Sequence, residues 1–94
     1  MENLKNYING DYRDPISGSW INNYNPAIGE VYGQIPNSSS EDVALAYEAA
    51  SNAFESWSNT PVTERSKILR NIATLISENL EELAAAEAKD NGKP

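Results

Sequence analysis

The most numerous side chains of this sequence that could take part in acid–base chemistry are carboxylates. The 94-residue chain has 14 aspartates and glutamates but neither cysteine nor histidine. That composition excludes a thiol nucleophile, a Ser-His-Asp triad, a Cys/His zinc site and a disulfide framework within these residues. Candidate chemistry would come from carboxylates such as Glu78, Glu81 and Glu82, but that run is better explained as a solvated face with a preference for the start of a helix. We therefore predict no catalytic residue in this chain.

The charge and hydropathy of the chain exclude several classes of partner. Its formal net charge is −7, and nucleic acids and anionic membranes need a basic surface, so we expect neither as a partner. The basic residues Arg65, Lys67 and Arg70 are more simply the solvated face of a helix. No run approaches the roughly twenty apolar residues of a membrane span. The amino terminus lacks the apolar core of a signal peptide, so a cytoplasmic location is expected.

The first third of the chain predicts short strands joined by tight turns. Asn9-Gly10 favours a two-residue hairpin turn between Tyr7-Ile8 and Asp11-Tyr12, because both positions tolerate positive φ. Pro15 to Gly18 predicts the next turn.

A second hairpin is expected after Ser19. The alternation from Ser19 to Tyr24 suits an extended strand. Pro26 fits the first corner of a type I turn, and Gly29 fits the left-handed position of a bulged hairpin loop. The returning strand would run from Val31 to Pro36, where proline ends it.

The next segment predicts an amphipathic helix. Ser39 is the expected N-cap, with Glu41 and Asp42 in the first turn, where the helix dipole favours negative charge. Apolar side chains then recur at helical spacing. They are Val43, Ala46, Tyr47, Ala50, Ala53, Phe54 and Trp57. We expect the aromatic members of this stripe to lie in a core and not to stack on a cofactor.

A second helical segment follows and runs almost to the last residue. Thr60 should cap a helix with Pro61 at its first position, running from about Val62 to Ser77. Asn79, with Glu82 three residues on, predicts either a break and a new cap or a single bent helix. Gly92 should close the segment, and Pro94 cannot continue it. The apolar stripe of this segment is Ile68, Leu69, Ile72, Leu75, Ile76, Leu80, Leu83 and Ala84.

The chain therefore predicts an α+β fold of short N-terminal β-hairpins followed by two or three amphipathic helices. Residues 1–36 would form the hairpin segment and residues 37–94 the helical segment. At 94 residues they make one domain at most, and such a short chain leaves much of its surface exposed.

Six motifs in this order resemble the opening of the NAD(P)-dependent aldehyde dehydrogenases. Each is weak alone, but together they span the chain at the family's spacing. They are Tyr7-Ile8-Asn9-Gly10, the run Tyr24 to Val31, Glu41-Asp42-Val43, Ala49-Ala50 with Ala53-Phe54 before Trp57, Glu64-Arg65 with Ile68-Leu69, and the run Glu87 to Pro94. The sequences of residues 32–38, 56–58 and 86–90 resemble those of the 2-aminomuconate and 2-hydroxymuconic semialdehyde dehydrogenase branch.

The resemblance implies a parent enzyme that oxidises an aldehyde to a carboxylate. In that family a cysteine thiolate adds to the carbonyl, hydride passes to NAD or NADP, and a glutamate activates water. This chain has no cysteine and no Gly-x-Gly-x-x-Gly run. The resemblance therefore implies an amino-terminal piece of the cofactor-binding domain. We expect it to be inactive and to bind no NAD or NADP alone. Its partners would be the remainder of the parent enzyme and further copies in a homo-oligomer.

The resemblance also implies a monovalent cation site. Many members hold Na⁺ or K⁺ between the strand before the Asn-Pro turn and the end of the last helix here. By residue match the ligands would be the backbone carbonyls of Asn23 or Tyr24 and the carboxylate of Asp90. A carboxylate beside the negative end of a helix dipole is unfavourable unless something positive is near, and oxygen ligands suit a hard cation. The alternative is that Asp90 caps a local turn or pairs with a neighbouring lysine in solvent.

Two other interpretations of the chain stay open. It could be a stand-alone acidic interaction module that self-associates or docks on a partner through Tyr47, Phe54 and Trp57. It could also be a complete small enzyme that uses its carboxylates, which we rank last.

Overall fold

Short strands come first in this chain and helices follow. The structure, a computed structural model, describes residues 2–92. Strands and helices together confirm the predicted α+β class. In chain order the elements are β1 (Glu2–Asn3), β2 (Asn6–Ile8), β3 (Asp11–Arg13), β4 (Trp20–Asn25), β5 (Glu30–Pro36), α1 (Ser40–Ser58), α2 (Val62–Glu78) and α3 (Leu80–Asn91).

Strands β2 and β3 form the predicted two-residue hairpin. Asn9 and Gly10 have φ values of 52° and 82°, so both adopt the left-handed conformation that this turn requires. Tyr7 pairs with Tyr12 across the ladder, and their rings meet edge to face with centroids 5.0 Å apart.

Strands β4 and β5 form the second predicted hairpin, inside a three-stranded sheet of order β1-β5-β4. The Gly29 amide donates to the Asn25 carbonyl at 2.8 Å, and Gly29 has a φ of 70°, as the bulged loop requires. Strand β1 was not predicted. It pairs in parallel with β5, and a Cβ at Gly33 would collide with the Glu2 carbonyl. Glycine is therefore what lets β1 approach.

Helix α1 begins at the predicted cap. The Ser39 amide donates to the Asp42 carboxylate at 2.9 Å, which is one half of a capping box. Asp42 also accepts a hydrogen bond from the Ile16 amide at 3.1 Å. It is only 4% exposed, so this carboxylate ties the Pro15–Gly18 turn to the start of α1.

The junctions around α2 differ from the prediction in their caps. The Thr60 hydroxyl donates to the Ser56 carbonyl at 2.8 Å, so it satisfies the end of α1 and does not cap α2. Pro61 occupies the N-cap position, and α2 begins at Val62. The Asn79 amide donates to the Leu75 carbonyl at 2.8 Å, so it caps the end of α2 and forms no box with Glu82.

The second helical segment is two helices, with the break at the predicted residue. Asn79 lies between α2 and α3. Gly92 closes α3 with a φ of 77°, as predicted, and Pro94 lies outside the described residues.

The apolar faces of the helices are not covered by this chain. Among the described residues Ile8 is the hydrophobic side chain that is buried. The prediction that the α1 aromatics lie in a core is wrong for the chain by itself, since Tyr47, Phe54 and Trp57 are 74%, 69% and 43% exposed. The physical reason is that α1 contacts β2, α2 contacts α3 and α3 contacts β4, so no layer covers the length of any helix. The large hydrophobic side chains of α2 and α3 that are exposed are Val62, Ile68, Leu69, Ile72, Leu75, Ile76, Leu80 and Leu83.

Candidate functional site

The carboxyl-terminal end of α3 meets the β4–β5 hairpin, and this contact brings together two of the three predicted ligand residues, Asn23 and Asp90. α3 contacts β4. A side chain at Gly92 would begin 3.1 Å from the Pro26 ring, so the end of the helix lies against the turn between the two strands. The last turn of α3 is thereby placed over side chains that project from both strands.

Asp90 is the acceptor at the centre of this contact. The Tyr32 hydroxyl, from β5, donates to Asp90 Oδ1 at 2.9 Å. The Asn23 amide, from β4, lies 3.3 Å from the same oxygen and 2.9 Å from the Tyr32 hydroxyl oxygen. The three side chains therefore form a closed set of hydrogen bonds that joins two strands to one helix. We call Asn23, Tyr32 and Asp90 the polar cluster.

The electrostatics around the polar cluster explain why a carboxylate is tolerated there. Asp90 lies in the last turn of α3, where the helix dipole is negative. Lys89 Nζ lies 4.7 Å from the centre of the Tyr32 ring and supplies positive charge beside it. Partial burial and the neighbouring Asp90 carboxylate raise the pKa of Tyr32 above its ordinary value of 10.0, because both favour the neutral phenol.

Of the three residues predicted as cation ligands, the structure brings two together through their side chains. Asn23 and Asp90 are in contact, whereas Tyr24 pairs with Val31 in the sheet and is 54% exposed. The groups that point at Asp90 are an amide N–H and a phenol O–H. Both donate to Asp90 Oδ1, so in this arrangement the lone pairs of that oxygen are used by hydrogen bonds, whereas a cation needs oxygen lone pairs turned toward it. The side chains as arranged therefore do not fit a monovalent cation. Ligation by the backbone carbonyls of Asn23 and Tyr24 stays a prediction.

Tyr32 is the residue that the sequence analysis missed. The signal available was its polar hydroxyl on a strand predicted to pair with the one carrying Asn23, because a half-buried tyrosine usually finds a hydrogen-bond partner. What the sequence does not show is the register. The β4–β5 ladder shifts between Asn23 and Tyr24, and such an irregularity changes which side chains face each other.

The other charged clusters behave as solvated surface. Glu78, Glu81 and Glu82 lie exposed around the α2–α3 junction. Across residues 2–92 no group of three or more aspartates, glutamates, cysteines or histidines is placed to hold a metal ion. Arg65 donates through Nε to the Thr60 carbonyl at 3.1 Å, and Lys67 and Arg70 are exposed. In the same described range, no helix has both the length and the apolar character to cross a membrane.

The arrangement of two hairpins followed by three helices has counterparts among known proteins. The sequence model described as the aldehyde dehydrogenase family matches residues 12–94. The chain belongs to the aldehyde dehydrogenase family.

Individual relatives and solved structures agree with that assignment. An aldehyde dehydrogenase of Vibrio cholerae is 52% identical over 89 residues, which cover 95% of this chain. The 2-aminomuconic semialdehyde dehydrogenase of Homo sapiens is 46% identical over 90 residues, or 96% of this chain. The crystal structure of PnpE in complex with nicotinamide adenine dinucleotide superposes with a TM-score of 0.93 at 35% identity, over 97% of this chain and 19% of that one.

The chain is much shorter than these relatives. It spans 18% of the length of the Vibrio cholerae and human enzymes. Because it has no cysteine, the thiol nucleophile implied by the resemblance is not among its residues.

Proposed function

We propose that this chain is an amino-terminal structural layer of an NAD(P)-dependent aldehyde dehydrogenase, inactive alone, whose apolar helix faces rest on the remainder of the parent enzyme. The parent oxidises an aldehyde to a carboxylate, and the cysteine, the general base and the cofactor pocket come from that remainder. In this proposal the chain contributes support and no catalytic residue.

The exposure of the apolar helix faces is the observation that carries the proposal. Leu69, Leu75 and Leu80 are 62%, 57% and 58% exposed, and all three belong to the apolar stripe predicted from the sequence. Across the α2–α3 junction, Leu75 and Leu83 line the same open concavity. Contiguous apolar surface of this kind marks an interface. The family assignment supports a covering layer within the same enzyme, since the relatives are about five times longer than this chain.

A chimera tests the proposal. The matching 89 residues of the Vibrio cholerae aldehyde dehydrogenase would be replaced by the corresponding part of this chain. Aldehyde-dependent reduction of NAD⁺ or NADP⁺ would be followed by absorbance. We expect activity in the chimera, none in a protein lacking the segment, and none in this chain by itself. A chimera that folds but has no more activity than the deleted protein would contradict the proposal.

Two substitutions in the chimera test whether the apolar stripe is the contact. Leu75→Glu places a charge on the stripe and should abolish activity or folding, because an unpaired buried charge is costly. Thr74→Glu places the same charge one residue away, on the opposite side of α2, and should leave activity close to that of the unsubstituted chimera. Equal effects of the two changes would show that the stripe is not the covered face.

We also propose a substrate class, a cofactor, a location and an assembly for the parent enzyme. The relatives named 2-aminomuconic semialdehyde dehydrogenase in Homo sapiens and Bos taurus, at 46% and 47% identity, support a semialdehyde as its substrate. The NAD complex of PnpE supports NAD, and an Escherichia coli NADP-dependent enzyme with a TM-score of 0.93 supports NADP. A cytoplasmic location and a homo-oligomeric assembly of the parent complete the proposal.

A further inference from the structure

The polar cluster satisfies Asp90 with groups that belong to the chain itself. One carboxylate oxygen accepts from Tyr32 at 2.9 Å and from Asn23 at 3.3 Å. Hydrogen bonds to an ionised acceptor are stronger than those between neutral groups. The carboxylate at the end of α3 thus has local stabilisation without an ion.

Two members of the cluster are joined to each other within the sheet. Asn23 and Tyr32 come from adjacent strands of one sheet, and the Asn23 amide donates to the Tyr32 hydroxyl oxygen at 2.9 Å. A hydroxyl that accepts one hydrogen bond becomes a better donor in the next, because the bonds polarise each other. The sheet therefore holds the Tyr32 proton directed at Asp90.

We propose that Tyr32 and Asn23 hold the carboxyl-terminal end of α3 on the sheet through Asp90, in the place where a monovalent cation would otherwise act. Docking of α3 in this chain then depends on the Tyr32 hydroxyl and does not respond to Na⁺ or K⁺. A cation at Asp90 Oδ1 would have to displace both donors. Lys89 Nζ lies 4.7 Å from the Tyr32 ring centre and already places positive charge at this part of the surface. The proposal concerns this chain alone and does not depend on the aldehyde chemistry of the parent.

Amide hydrogen exchange in α3 tests the proposal on the full chain. Exchange of the amides in the last two turns of α3 would be measured by NMR in sodium, potassium or tetramethylammonium chloride at equal ionic strength. We expect equal rates in all three salts. Tyr32→Phe should speed this exchange by about two- to tenfold, as expected for the loss of one hydrogen bond. Tyr24→Phe removes a hydroxyl from the neighbouring strand outside the polar cluster and should change nothing.

A double substitution shows whether the two side chains act together. Asp90→Ala should speed exchange at least as much as Tyr32→Phe, and combining the two should add little, because they remove the same contact. Slower exchange in sodium or potassium than in tetramethylammonium would overturn the proposal. The proposal would also be overturned if the α3 amides of Tyr32→Phe exchange at the wild-type rate. This includes the case in which these amides are unprotected in both the wild-type chain and the variant.

Discussion

Tyr32 is the residue whose protonation should decide how firmly α3 is held at alkaline pH. Partial burial and Asp90 raise its pKa in the folded chain above the ordinary value of 10.0. The folded chain therefore holds the phenol proton more tightly than the unfolded chain does. The contribution of this contact is complete below about pH 10 and is lost as pH rises through the raised pKa, since a tyrosinate would face the Asp90 carboxylate.

Alkaline titration measures this effect. We expect the tyrosinate absorbance of the wild-type chain to include a late step that Tyr32→Phe removes, accompanied by a loss of helical circular dichroism. In Tyr32→Phe the helical signal should be less sensitive over the same pH range. If the step removed by Tyr32→Phe lies at or below the ordinary tyrosine pKa, the assigned environment of this phenol is incorrect.

At the scale of elements, Asp42 fixes the start of α1 to the preceding turn. Its buried carboxylate accepts from the amides of Ser39 and Ile16 at 2.9 Å and 3.1 Å. Asp42→Ala should speed exchange of these two amides by more than about tenfold, because each loses a hydrogen bond to a charged acceptor. Glu41→Ala is the matched control, since it removes an exposed acidic residue from the same helical turn. If the two substitutions have comparable effects, the start of α1 is stabilised by the general interaction of acidic side chains with the helix dipole and not by the two hydrogen bonds of Asp42.

The elements that the sequence predicts are those fixed by neighbouring residues. Asn9-Gly10 and Gly29 determine the two hairpin turns because their backbone conformations are local requirements. Strand β1 escapes prediction because its two residues pair in parallel with a partner about thirty residues away. The break at Asn79 is visible in the sequence, but which of two helices its side chain caps is decided by geometry.

The candidate site could be predicted only in part, because some of its contacts depend on the register between strands. The resemblance implies a cation held by the backbone carbonyls of Asn23 or Tyr24 and the carboxylate of Asp90, and that ligation stays a prediction. The structure joins Asn23 and Asp90 through their side chains. Tyr32 enters only through the register shift of the β4–β5 ladder, which no local pattern encodes. For the aromatic side chains of α1, the local pattern is clear but the predicted environment is not found. Their helical spacing predicts a core position, but these side chains are 43–74% exposed, because nothing among the described residues packs over them.

The whole molecule is too open to be a conventional domain of its length. Its Cα radius of gyration is 16.7 Å, whereas a compact domain of this size has about 12 Å. Its principal extents of 47 × 34 × 16 Å describe a thin layer. With Ile8 as the buried hydrophobic residue among those described, hydrophobic burial offsets little of the conformational entropy lost on folding.

We therefore expect the isolated chain to be helical, weakly cooperative in urea and self-associated, because copies can cover each other's apolar stripes. Replacing Ile72 and Ile76 together by glutamine should shift sedimentation toward the monomer, since both lie on the stripe of α2 and are 47% and 49% exposed. Replacing Arg70 and Thr74 by glutamine keeps the same one-turn spacing on the opposite side of α2 and should leave the association unchanged. A wild-type chain that sediments as a single monomeric species and unfolds in one sharp transition would mean that these helices shelter their own apolar side chains. That result would also remove the main support for the proposal that the remainder of the parent enzyme covers the apolar helix faces.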